Sequence, residues 1–83
     1  MSVIKRYDIL NLDESINMKD KLIERGLKYI GEDPSNGVSL LVYDNGTGLM
    51  FFPPRSISLI GSESNVLNAK RNLEEFLELQ ESK

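Results

Sequence analysis

The segment that most restricts what this chain can fold into is Asp44-Asn45-Gly46-Thr47-Gly48. It stands between two apolar runs, Val38-Ser39-Leu40-Leu41-Val42-Tyr43 and Leu49-Met50-Phe51-Phe52. An Asn-Gly pair in this setting predicts an antiparallel hairpin, because both turn positions tolerate positive φ and the flanking runs suit strands. The chain has only 83 residues. Once the hairpin forms, the remainder can build one small core around it, and a single domain over residues 1–83 is expected.

The neighbouring segments extend this hairpin into a sheet. Val3-Ile4-Lys5-Arg6-Tyr7-Asp8-Ile9-Leu10 mixes β-branched, aromatic and charged residues in the manner of a strand. Residues 14–30 allow two readings. Ile16, Leu22, Ile23, Leu27 and Ile30 sit near helical spacing and suit one long helix, with Asp13 or Ser15 as N-cap. Alternatively a helix over 15–25 stops at Gly26 and a strand follows from Leu27 to Ile30, which the glycine- and proline-containing stretch 31–37 closes as a turn. The second reading is preferred. After Phe52, Pro53-Pro54 cannot supply ladder donors, so the strand ends there. Ser56-Ile57-Ser58-Leu59-Ile60 then alternates as a final half-buried strand that Gly61 ends. In the tail, Val66, Ala69, Leu73, Phe76, Leu77 and Gln80 trace one helical face, predicting a helix over 63–81 capped by Ser62 or Ser64. The expected class is therefore α+β: a small antiparallel sheet with a C-terminal helix packed on it.

Two resemblances follow from these residues. The stretch from Tyr29 to Ile60 contains the Tyr43-Asp44-Asn45-Gly46 hairpin and the Pro53-Pro54-Arg55 bend before a short strand. It resembles half of an SH3-like barrel of the Tudor type, and this implies a partial barrel as the form of the sheet. The chain lacks Trp, so proline-rich ligand recognition is not implied, and it lacks the clustered aromatic faces of a methyl-lysine cage. Locally, Leu41-Val42-Tyr43-Asp44-Asn45-Gly46-Thr47-Gly48-Leu49 is similar to the first phosphate-binding hairpin of actin-like ATPases. That likeness would bring backbone N–H groups to phosphate, but the chain is too short for the second lobe of that fold. In the simpler reading Asp44 stabilises a hairpin turn through its side chain.

Composition narrows the chemistry. With no Cys and no His, the chain has no disulfide, no thiolate nucleophile, no Ser-His-Asp triad and no imidazole metal ligand. It is expected not to be an enzyme, and to use no cofactor and no metal. Glu74, Glu75, Glu78 and Glu81 read as a solvated acidic face that can also dock a partner. No apolar run reaches the roughly 20 residues of a membrane span, and no secretory leader pattern opens the chain, so a cytoplasmic protein is expected. The net charge of −3 argues against a generic nucleic-acid binder.

The expected function is a small protein–protein interaction module. Richness in Lys, Asn, Ser, Glu and Ile resembles the composition of low-GC bacteria and their phages, which suggests an adaptor or a phage-type inhibitor of a host protein. A protein partner is expected, nucleic acid and membrane are not, and a homo-oligomer is compatible with the sequence. Adjacent strand residues point to opposite faces, so Phe51 and Phe52 cannot both enter one core. One of them, with Met50, Pro53, Pro54 and Arg55, is expected to form the partner-binding patch. Lys21, Arg25 and Lys28 would share one face if the whole stretch were helical, and they are the candidates for contact with phosphate or an acidic partner. A small nucleic-acid or nucleotide-binding module is the alternative function.

Overall fold

The structure, a computed structural model, describes residues 1–82. Six strands and two helices follow one another as β1 (Ser2–Ile9), α1 (Met18–Glu24), β2 (Lys28–Asp33), β3 (Val38–Val42), β4 (Gly48–Phe52), β5 (Ser56–Ser62), α2 (Glu63–Leu73) and β6 (Leu79–Glu81). The strands form one antiparallel sheet in the order β2-β3-β4-β5-β1-β6. It is an open α+β sheet: β2 and β6 are its two edges, and no pairing among the described residues closes it into a barrel. The stretch from Tyr29 to Ile60, expected as part of a partial barrel, is the β2–β5 meander of this open sheet. None of the helices among the described residues is long and apolar enough to cross a membrane.

The central hairpin forms where Asn-Gly predicts it, with one change in turn chemistry. Within the turn only Gly46 takes a positive φ, at 89°. The Gly46 N–H donates to the Tyr43 carbonyl, and the Tyr43 N–H donates to the Thr47 carbonyl, both at 2.9 Å. This is a three-residue loop with glycine at its left-handed position. The side chain that holds it belongs to Asn45 rather than Asp44: Asn45 Oδ1 accepts from the Thr47 N–H at 3.0 Å and from the Thr47 hydroxyl at 2.7 Å. The same device recurs at Asp13 with Ser15 and at Asp33 with Ser35. Those hydrogen bonds hold both carboxyl groups below the usual range.

Residues 14–30 follow the second sequence reading. Asn17 caps α1 by accepting from the Asp20 N–H, and Gly26 leaves the helix at φ 98°, a conformation that costs glycine little. The strand that follows runs further than expected, through Gly31 to Asp33, with a bulge between Tyr29 and Gly31. Gly61 likewise does not end its strand. It pairs with Val3, and Ser62 is at once the last residue of β5 and the N-cap of α2, accepting from the Asn65 N–H at 3.2 Å.

The helix expected over 63–81 stops at Leu73. Glu74, Glu75, Glu78 and Glu81 would crowd the negative end of a longer helix, which is unfavourable. The chain instead turns through Phe76 and Leu77 and pairs with the free edge of β1. There the Glu78 N–H donates to Asn11 Oδ1, the Leu10 N–H to the Glu78 carbonyl, and the Ser82 N–H to the Arg6 carbonyl. The apolar periodicity is genuine as far as Val66, Ala69 and Leu73. Beyond that, Leu77 is buried from a turn and Leu79 from a strand.

Both helices lie on one face of the sheet. Leu41, Leu49, Ile57 and Leu59 point toward them and are fully buried, together with Ile9, Leu22 and Leu73. Arg25, at the end of α1, ties the two helices together: it pairs with Glu75, donates to the Asn72 carbonyl at 3.2 Å, and lies 5.0 Å from the centre of the Phe76 ring. The Tyr43 hydroxyl lies beside this junction, 3.4 Å from Asn72 Oδ1. Burial pushes its pKa up to about 12, against a smaller opposite effect of the Arg25 guanidinium.

A phenol whose folded pKa is raised above its unfolded value of about 10 stabilises the fold fully below that pH. The contribution disappears as pH rises through the folded value of about 12. Urea unfolding should therefore show wild type losing stability relative to Tyr43→Phe across that alkaline interval. Parallel curves for the two proteins would mean that the phenol is not buried as described.

Candidate interaction surface

The register divides the side chains between a covered and an open face. Lys5, Tyr7 and Ile9 of β1 lie opposite Leu59, Ile57 and Arg55 or neighbouring backbone, on the helix side, and Phe51 opposite Ile57 joins them. The intervening residues point the other way: Ile4 opposite Ile60, Arg6 opposite Ser58, Met50 opposite Ser58 and Leu40, and Phe52 opposite Ser56. No element among the described residues covers this second face. It carries Ile4, Leu40, Val42, Met50, Phe52 and Ile60 in adjacent strands. Ile4 is 69% exposed and Leu40 39%, and the other four are half-buried by one another.

The six residues expected to form a partner patch are thus distributed over three surroundings. Met50 and Phe52 belong to the open face. Phe51 packs against the core, although it too is only half-buried. Pro53, Pro54 and Arg55 form the exposed β4–β5 turn, and the Arg55 guanidinium lies 3.8 Å from Glu14. Sequence reasoning missed Ile4, Leu40, Val42 and Ile60. The signal for Leu40 and Val42 was present in the uninterrupted Leu40-Leu41-Val42 run, because consecutive apolar strand residues put apolar surface on both faces.

Arg6 is a charged residue built into this surface beside an aromatic ring. Its guanidinium carbon lies 4.7 Å from the centre of the Phe52 ring, within cation–π distance. Asp8, further along β1, accepts from the Ser56 hydroxyl at 3.1 Å. Toward β2 the face sinks into a shallow depression of about 460 Å³ bordered by Val38, Leu40, Met50 and Phe52, with Asp33 and Asn36 at its rim.

Lys21, Arg25 and Lys28 do not form a stripe. Lys21 lies on α1 with its ammonium 5.9 Å from the Phe76 ring, Arg25 is engaged between the helices, and Lys28 is on β2 beyond the chain reversal at Gly26. In the Asp44–Gly48 turn, the Gly46 and Thr47 N–H groups are already paired within the turn. Among the described residues no three Asp or Glu side chains gather as a metal site. Of the four tail glutamates, Glu75 pairs with Arg25 and Glu81 approaches Lys5 at 3.9 Å.

Comparison of the chain with protein-family models, with curated proteins and with solved structures returned no match.

The division of the two rings has a measurable consequence. Phe51→Ala should lower stability by about 3 kcal/mol, as expected for emptying part of a core. Phe52→Ala should cost about 1 kcal/mol, mainly its contact with Arg6. Denaturant unfolding of both variants checks this, and equal costs would contradict the assignment of faces.

Proposed function

We infer that this protein is a non-enzymatic interaction module that binds another protein through the open face of its sheet. One observation carries the reading: among the described residues the sheet is covered on one side only, and its other side presents contiguous apolar side chains from β1, β3, β4 and β5. Apolar surface of this kind, rimmed by polar groups, is what protein recognition uses. A partner that places an apolar segment across Met50 and Phe52 and an acidic group near Arg6 would satisfy both the patch and its charge. An adaptor, or an inhibitor of a host protein of the phage type, acting in the cytoplasm, is the biological form this reading takes.

Affinity capture from lysate of the source cell, followed by binding measurements on the purified partner, tests it. Phe52→Ala and Ile60→Ser should each weaken the complex by about 2 kcal/mol, the effect of truncating an anchor residue. Leu67→Ser, on the exposed side of α2, should leave it unchanged. A partner held equally by all three variants would place recognition elsewhere on the molecule.

A further inference from the structure

Strand β2 ends the sheet, and no strand among the described residues pairs with its outer edge. The opposite edge strand, β6, is only three residues long, whereas β2 spans six. A free edge of that length offers unpaired N–H and C=O groups to another strand. It also leaves Tyr29 37% and Ile30 53% exposed.

The bulge determines what this edge can accept. Residues 28 and 33 are an odd number of positions apart, and in a regular strand they would point to opposite faces. The register shift between Tyr29 and Gly31 adds one residue, so Lys28 opposite Val42 and Asp33 opposite Val38 both point to the open face. Tyr29 opposite Leu41 and Glu32 opposite Ser39 both point to the helix face. Two copies paired antiparallel about a two-fold axis must bring same-face residues opposite one another. With the axis between Ile30 and Gly31, Lys28 meets Asp33 of the second copy, Tyr29 meets Glu32, and Ile30 meets Gly31, whose missing side chain leaves room for the isoleucine. Moving the axis by one residue leaves Lys28 without an acidic partner or sets Asp33 against Ile30. A parallel arrangement in register would set Lys28 against Lys28. Pro34 follows Asp33 and would end the pairing, since it has no N–H to offer.

We propose that β2 joins two copies of this chain through antiparallel β2–β2 pairing centred between Ile30 and Gly31, with Lys28–Asp33 ion pairs at both ends. The two sheets become one, and their open faces lie on the same side. A single strand pair buries a small interface, so the dimer is weak and in exchange with monomer.

Sedimentation equilibrium of the whole chain at concentrations up to about 1 mM, where an interface this small is populated, should reveal the dimer. Lys28→Asp sets like charges opposite one another at both ends and should raise the dissociation constant by at least about tenfold, whereas Lys28→Arg should preserve it. Asp33→Lys alone should weaken association to the same degree, and an equimolar mixture of the Lys28→Asp and Asp33→Lys proteins should form heterodimers. Should Asp33→Lys not fold, for loss of its hydrogen bonds with Ser35, the comparison of Lys28→Asp with Lys28→Arg decides by itself. A chain that stays monomeric throughout the concentration range, or a dimer indifferent to Lys28→Asp, would overturn the proposal.

Discussion

The structure depends on an imbalance between sheet and helix. Six strands present two broad faces, and among the described residues the helices that cover them are α1, of seven residues, and α2, of eleven. Both lie on the same side. There Leu41, Leu49, Ile57, Leu59 and Leu73 are removed from water, and burial of such side chains is the main favourable contribution to folding. The chain has no third helix among the described residues for the other face, yet that face is not polar. Its apolar side chains screen one another only in part, and Arg6 lies across one of the rings.

Local chemistry fixes how the covered side is assembled. The Gly46 turn sets the central hairpin, Gly26 reverses the chain from α1 into β2, and Ser62 turns β5 directly into α2 without a loop. The Arg25–Glu75 pair then holds the two helix ends against each other over Phe76. An exposed ion pair would contribute little by itself. Arg25 does more than pair, because its guanidinium also satisfies the Asn72 carbonyl at the end of α2 and lies over an aromatic ring. The cation that sequence spacing marked as a phosphate contact is thus committed to the fold.

Much of this architecture was legible in the sequence, and the reasons differ by element. The Asp44–Gly48 turn was legible because its chemistry is local. The break at Gly26 was legible because glycine ends helices in a conformation other residues avoid. The tail was misread beyond Leu73, since Phe76, Leu77 and Gln80 continue a helical spacing that the glutamates and the free edge of β1 override. Alternation separated Phe51 from Phe52 correctly. It could not say that Phe52 would lie beside Arg6, or that Ile4 would sit opposite Ile60, because those neighbours come from strands distant in the chain and depend on register.

The central claim is that one face of the sheet is covered and the other is open, and the methyl groups of the molecule report on it directly. NMR relaxation by a soluble, uncharged paramagnetic agent measures how closely solvent approaches each methyl. The account predicts strong relaxation for Ile4, Leu40, Val42, Met50 and Ile60 and almost none for Leu41, Leu49, Ile57 and Leu59. Equal protection of the two sets would show that the second face is covered as well, and would contradict the account.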